Sequence, residues 1–465
     1  MEQNVKALAF GSLPWLALTT ALTGCAPQVQ LAVAPNIHSA TWAASASVNA
    51  GAVLTPEAPL DWAAFGSPRL DALLDQVRKA NTDIAIANTR IAQAAADLRI
   101  AKAANGPALE AFGRAESNSR GGSGDNAFRD SYIAGDLDLT YTLDLSGKLK
   151  ASKRAAYARY RAAGYEAEAM RLNIEAATAS AYVEYAALCD RIAIAEEALG
   201  NAREFERTLA LRAEAGITSQ VDASLQATEA NDLAVNLSRL REARSRTVRA
   251  MAVLAGQEAP LFNLEAASLG EFSLPKFKPL QPAALVTRRP DMLAAAARIE
   301  AAQGDVERAR AAFVPDIELS AGSFVDSAVG GGILNPGFAL AARMMATIFD
   351  NGRLEGQVYR ASAEQQEAVE QYRKVLLDAL ADAQNAIGAV AATAERVDLL
   401  ASSQRHAART AVLARSRYAE GADDFGSVLD AERRRLAIAD SLASSRQQAL
   451  NSAIALYSAF GGAPR

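Results

Sequence analysis

Two cysteines and two histidines are all that the 465 residues contain of either type. That is too little thiol for a disulfide framework and too little imidazole for a histidine-based metal cluster. Aromatic residues make up only 6% of a chain that is half apolar; alanine fills much of the difference, and small side chains suit helices packed at close range. No basic run stands out and the formal net charge is -5, so the electrostatic footprint of a nucleic-acid binder is missing. Beyond residue 25 the sequence has no run of about 18 apolar residues, which speaks against a transmembrane helix. No paired base and nucleophile can be recognised, so neither an enzyme nor a metal site is expected. Proline is absent between Gly147 and Gly216, and again between Gly352 and Gly421.

Those two proline-free stretches belong to a repeat. Gly147, Gly216 and Gly256 recur 205 residues later as Gly352, Gly421 and Gly461, with spacings of 69 and 40 in both halves. Each copy reads as a very long helix, a tight turn and a shorter helix running back. At ~1.5 Å per residue the long helix would measure roughly 100 Å, too tall for an ordinary globular domain. In the second copy Tyr372, Leu376, Leu380, Ala383, Ile387, Val390, Ala394 and Val397 step by fours and threes, which alternate from Leu376 on. That period predicts left-handed coiled-coil packing. The first return helix shows Ile217, Val221, Leu225, Leu233, Leu237 and Leu240. Narrow stripes with polar flanks fit either a coiled-coil spacer or a wall with water on its open faces. A return helix of about 60 Å and a preceding helix of about 50 Å together match one long helix, which favours the wall.

The organisation along the chain follows. Residues 1–24 read as a lipoprotein signal peptide ending in Leu22-Thr23-Gly24-Cys25, which resembles the bacterial lipobox and makes Cys25 the expected site of lipid attachment. Residues 25–68 read as an extended leader, 69–256 as the first repeat, 257–281 as a linker, 282–462 as the second repeat and 463–465 as a tail. One helix is expected over Pro68–Ala104 and another over Pro282–Phe313. Strands are expected over Leu109–Asn118 and from Tyr132, after a polar loop over Arg120–Asp130. Two more are expected, one around Ile317 and one over Phe338–Phe349, separated by the loop at Gly330, Gly331 and Gly332.

In the second strand Ile133, Leu137, Leu139, Tyr141 and Leu143 alternate with Asp136, Asp138, Thr140 and Thr142. One oily and one wet face place such a strand at a phase boundary, either over a soluble core or in a membrane barrel. Four strands cannot close a barrel alone, and open edges in lipid leave backbone groups unsatisfied. Two copies would give about eight strands, a barrel filled by side chains; three would give twelve and leave a lumen. The fold expected is therefore mostly α with a membrane β-barrel part: a long coiled-coil α-helical barrel plus four strands per chain, closing in a trimer.

Several stretches carry a resemblance: Tyr141-Thr-Leu-Asp-Leu-Ser-Gly147, Arg289-Pro-Asp291 followed by Ala309-Arg-Ala-Ala-Phe-Val-Pro315, Ile348-Phe-Asp-Asn-Gly352, Arg417-Tyr-Ala-Glu-Gly421, Val428-Leu-Asp-Ala431 and Leu456-Tyr-Ser-Ala-Phe-Gly-Gly462. In this order they resemble the TolC/OprM-like outer-membrane factors of Gram-negative efflux pumps, and more closely their lipoprotein (NodT-type) branch. Ser146, Thr347 and Ala296 depart from the phenylalanine, proline and glutamate usual in that family.

The resemblance implies a homotrimer in the outer membrane, with a 12-stranded barrel and a periplasmic helical tunnel. Its partners would be a periplasmic adaptor and an inner-membrane transporter of the RND class, and no cofactor is implied beyond the lipid on Cys25. It assigns Gly216-Ile217-Thr218-Ser219 and Gly421-Ala422-Asp423-Asp424 to adaptor docking. Arg417, Tyr418 and Asp430 would hold the tunnel mouth shut. Asp136, Asp138 and Glu318 would line the barrel and give mild cation preference. A type I protein-secretion conduit and a metal-cation efflux duct are the alternatives within this class. Cys189 reads as a buried thiol, and His38 and His406 as surface residues.

Overall fold

The computed structural model describes residues 27, 30–33, 35, 61–120, 128–275, 281–328 and 335–462. The signal peptide, Cys25, His38, the loop at Gly330–Gly332 and the tail 463–465 lie outside these residues. Eight helices and four strands follow one another among those described: α1 (Pro68–Ala80), α2 (Thr82–Ala103), β1 (Ala108–Arg120), β2 (Phe128–Leu143), α3 (Lys148–Glu214), α4 (Gln220–Leu254), α5 (Pro282–Arg288), α6 (Pro290–Ala311), β3 (Asp316–Ala328), β4 (Asn335–Met345), α7 (Arg353–Ala419) and α8 (Phe425–Ala459). Matched helices agree in length: 22 residues in α2 and α6, 67 in α3 and α7, 35 in α4 and α8.

The helix expected over Pro68–Ala104 is broken at Asn81. Asn81 has extended backbone, and its amide N–H closes α1 onto the Val77 carbonyl. Its side-chain oxygen accepts from the amides of Asp83 (2.9 Å) and Ile84 (3.1 Å), while Nδ2 donates to the Leu254 carbonyl. One residue thus ends α1 and caps α2. The helix expected over Pro282–Phe313 breaks at the matched place, Arg289, because the following proline disfavours helical backbone there. The strands also differ from expectation. β1 and β2 extend into the expected loop, and β4 stops at Met345, so Thr347–Phe349 are not strand.

The chain divides into two compact units. Of the described residues, the first contains the sheet and the helix segments next to it, within 90–163 and 294–373, together with residues 27, 30–33 and 35. Its strands run antiparallel in the order β1-β2-β3-β4. Next to them, α6 packs on both α3 and α7. Gly304 lies so close to α3 that a Cβ there would sit 2.9 Å from the Ala155 Cβ and 3.1 Å from the Ala151 carbonyl. On its other side Val306 and Ala309 pack with Val358 and Ala361. Arg161 pairs with Glu300 (2.8 Å), and Arg154 and Arg159 pair with Glu307 and Asp305. The Ala32 amide donates to Gln365 Oε1 (3.0 Å), and Gln365 Nε2 donates back to the Ala32 carbonyl (2.8 Å). Gln365 is fully buried, so this two-way amide clasp pins the leader to α7.

Of the described residues, the second unit comprises 61–89, 164–275, 281–293 and 374–462. Its largest core gathers Trp62, Phe65, Leu70, Leu74, Met251, Leu285, Ile454 and Phe460. The end of the expected surface leader is therefore part of the core. Trp62 stacks 4.3 Å from Tyr457 and donates its indole N–H to Glu175 Oε2 (2.7 Å), whose other oxygen accepts from Arg78 (2.7 Å). A carboxylate only 4% exposed is tolerable because both oxygens are engaged. Arg289 has a similar role: it forks onto Asp291 (3.0 and 2.7 Å), donates to the Ala459 carbonyl (3.2 Å) and lies 3.5 Å from Asp382. Burial opposes its charge, but the Asp291 hydrogen bonds and the two carboxylates outweigh this and raise its pKa.

The expected α7 stripe is buried at Tyr372, Leu376, Ala383 and Ile387, but further along Thr393 is buried and Ala394 is exposed. α7 is also long and apolar enough to cross a membrane by length and composition. Charged residues nevertheless interrupt every apolar run in it short of about 18 residues, as the sequence reading has it. Cys189 is half-buried beside the core, and His406 is exposed.

Candidate functional site

The first functional surface is the sheet. Cross-strand partners share a face, so the register sorts the side chains without ambiguity. Leu109, Leu139, Ala321 and Leu340 form one row; Leu137, Ser323 and Phe338 share the next, and Tyr141, Leu319 and Ala342 the one on the other side. These apolar side chains are largely exposed: Leu109 at 68%, Leu340 at 77% and Phe338 at 74%. The opposite face carries Glu110, Asp136, Asp138, Thr140, Thr142, Glu318 and Ser320. The structure thus places Asp136, Asp138 and Glu318 together on the wet face, as the alternation predicts. It also sets Arg343 directly opposite Glu318, a counter-charge that the sequence reading missed. Among the described residues β1 and β4 each pair on one side only, which leaves the two outer edges of the sheet unpaired.

The second surface is the pair of helix turns. Gly216 (φ 71) and Gly421 (φ 74) are left-handed. At each the next residue's amide reaches back five positions: Ile217 to the Arg212 carbonyl and Ala422 to the Arg417 carbonyl, both 2.8 Å. This is the Schellman closure, which favours glycine because a Cβ resists that backbone. Ser219 Oγ accepts from the Val221 amide (3.0 Å) and Asp424 Oδ1 from the Ser427 amide (2.9 Å), capping α4 and α8. All eight expected turn residues therefore lie in two short hairpins. The first bears an uncovered apolar stripe: Ile217 is 74% exposed, Val221 65% and Leu225 47%. The coiled-coil seam expected through those three residues runs instead through Gln226, Ala230, Leu237 and Leu240.

Of the expected mouth residues, Arg417 Nε lies 3.6 Å from Asp423 in its own hairpin. The Ser427 hydroxyl, the Asp424 amide and Arg417 all hold the Asp423 carboxyl below its usual range. Tyr418 joins Phe205 and Phe425 in an aromatic cluster with ring centres 5.4–6.2 Å apart. Asp430 is exposed, and it helps raise the Arg433 pKa, after the stronger effects of the Glu229 hydrogen bond and charge. Among the described residues no ion pair joins Arg417 to Asp430.

Sequence reasoning overlooked the links around them. Arg415 and Arg435 both reach Glu432 at 2.9 Å, and Arg433 reaches Glu229 at 2.6 Å. These links and the aromatic cluster border a cleft of 340 Å³ that all four helices α3, α4, α7 and α8 line. The Arg415–Glu432 and Arg433–Glu229 pairs join different helices and leave no periodic signal, so one sequence alone does not expose them.

A model of the outer membrane efflux protein family matches residues 73–257 and, a second time, residues 282–462. The chain is 30% identical over 411 residues to the pyoverdine export outer membrane protein OpmQ of Pseudomonas aeruginosa, covering 86% of each. It is 25% identical over 409 residues to the probable outer membrane lipoprotein SilC of Salmonella typhimurium, covering 86% of this chain and 87% of that one. Its fold matches the CmeC outer membrane channel of Campylobacter jejuni with a TM-score of 0.84, at 19% identity, over 94% of this chain and 95% of that one.

Proposed function

Since the chain belongs to the outer membrane efflux protein family, we propose that three copies assemble into the duct through which an efflux pump discharges small molecules. Its relatives are outer-membrane components of such pumps, and this chain is one too. The trimer, the bore and the partners are the further steps.

The observation that carries the trimer is a missing neighbour. α2 and α6 match from first residue to last, Thr82 with Pro290 and Ala103 with Ala311. α6 buries Ala295, Ile299 and Val306 on one side and Ala294, Ala297 and Ala301 on the other. In α2 the first stripe is matched by Ala87, Ile91 and Leu98, which are buried or half-buried; the second is matched by Ile86, Thr89 and Gln93, which are exposed. On α3 the partner stripe Ala151, Ala155, Ala158 and Ala162 is buried, while its match on α7, Gly356, Arg360, Ala363 and Glu367, is exposed. A Cβ added at Gly356, in the first turn of α7, would meet open space. The surfaces left bare on α2 and α7 correspond to those that pack together between α6 and α3. A second copy supplies the match: α2 of one chain lies on α7 of the next, with Ala96 beside Arg360 and Arg99 beside Tyr359. The same step pairs the free edges β4 and β1. Three copies then close twelve strands around a lumen, with the leucine face in lipid and the acidic face in water.

Lipid on Cys25 suits this placement. The clasp at Ala32 leaves seven residues, at most ~25 Å of extended chain, and Gln365 lies about 18 Å along α7 from its sheet end. The anchor can therefore reach the bilayer that the sheet spans. At the other end, the stripe Ile217, Val221 and Leu225 offers an apolar footing to a periplasmic adaptor, with the second turn (Gly421, Ala422, Asp423 and Asp424) beside it. Arg417, Tyr418 and Asp430 close the mouth through soft links, since an exposed ion pair contributes only about 0–1 kcal/mol. An inner-membrane transporter of the RND class supplies energy and choice of cargo. Purified protein is expected to have the mass of three chains in detergent and to conduct ions in planar bilayers. A stable single subunit, or a trimer that stays electrically silent, would contradict this reading.

A further inference from the structure

The wet face of the sheet carries two phenylalanines that its polarity does not account for. Phe112 on β1 is the direct cross-strand partner of Asp136 on β2, and Asp136 is the partner of Phe324 on β3. The row ends at Gly337 on β4. Phe112 is 52% exposed and Phe324 44% exposed, so both rings keep surface open to a ligand. Gly337 has a clear function in the row: a Cβ there would run into the Phe324 ring. The ring lies across that bare backbone, in the same cross-strand row as Asp136. The adjoining row adds Glu110 and Asp138, and Arg114, one row further, has a partner of its own.

A carboxylate with a phenylalanine as its cross-strand partner on either side has a specific chemical preference. Ring faces attract cations through their quadrupole, and more strongly when the cation sheds its water. Small inorganic cations are well hydrated and gain little from the rings. A cation wrapped in alkyl or aryl groups is weakly hydrated, has apolar surface to place on both rings, and pairs with the carboxylate.

We propose that Phe112, Asp136 and Phe324 form a transit site for apolar organic cations on the barrel wall. The proposal rests on the duct reading, because only in a closed barrel does this face line a bore. Planar-bilayer recordings with tetraphenylphosphonium and tetramethylammonium test it. Tetraphenylphosphonium is expected to interrupt the potassium current of the unmodified channel at concentrations where tetramethylammonium does not. Phe112→Leu combined with Phe324→Leu should weaken that block about tenfold at unchanged potassium conductance, since leucine keeps the apolar bulk and removes the ring. Asp136→Asn should weaken it comparably. Equal block by the two cations, or block by tetraphenylphosphonium unaltered in both variants, would overturn the site while leaving the duct standing. Failure of the unmodified protein to conduct would count against the duct itself.

Discussion

Thr218 in the first helix turn and Asp423 in the second occupy matched places, and each is bridged to the residue four positions on. In the first turn the Thr218 hydroxyl donates to Asp222 Oδ2 (3.3 Å); in the second the Ser427 hydroxyl donates to Asp423 Oδ1 (3.0 Å). The bond is the same and its polarity is reversed. Reversal moves the negative charge: one turn into the helix in the first hairpin, out to the tip and next to Arg417 in the second. The apolar stripe accompanies the hairpin whose tip is uncharged. A duplicated element has kept the backbone closure that its glycine permits while the two surfaces diverged, one toward contact and one toward charge. α2 and α6 diverge in the same manner, with equal lengths and registers but one stripe buried on α6 and exposed on α2.

The most disruptive test of this contrast is Gly304→Leu against Ala96→Leu. The first forces a side chain into the Ala151–Ala155 surface of the same chain and should cost about 2 kcal/mol or more of stability, read by denaturant unfolding. The matched change on α2 should leave the subunit folded and lower the fraction of trimer, read by native mass spectrometry. Equal effects on folding would erase the distinction between the two helices.

Next in size is Ile217→Asp, expected to abolish most efflux complementation in a deletion strain at normal protein level, whereas Ala422→Asp at the matched place should lose little. Asp430→Ala should raise channel conductance modestly by removing one link at the mouth, and unchanged bilayer conductance would remove Asp430 from that role. The smallest effect is the titration of Asp423. Its carboxyl is held below the ordinary 3.8, so the bridge to Ser427 stabilises the tip above that pH and is lost as pH falls through the lower folded value. A carbon-13 titration should put its midpoint below 3.8 and move it upward in Ser427→Ala.

Much of this was legible from residue patterns. Glycines that must adopt left-handed backbone marked the turns, and alternation sorted the β2 faces because a strand has a period of two. What escaped had no periodic trace. Asn81 ends and starts a helix with ordinary asparagine chemistry, and Pro290 announced a break that the surrounding apolar pattern hid. Trp62 and Phe65 sit in a proline- and alanine-rich stretch yet fill the core. Val221 and Leu225 fit a helical stripe and face outward, because periodicity gives a face and not its neighbour. Arg343 opposite Glu318, and Phe112 and Phe324 around Asp136, depend on strand register, which loop lengths alone did not fix.

The central claim is that α2 of one copy seats on α7 of the next. Cysteines introduced together by Ala96→Cys and Arg360→Cys, with Cys189→Ser to remove the native thiol, test it directly in outer-membrane preparations under mild oxidation. The account predicts covalent dimers and trimers on a non-reducing gel, collapsing to single chains with reductant and absent from either single-cysteine variant. A double variant that assembles as a trimer yet yields only single chains after oxidation would contradict it.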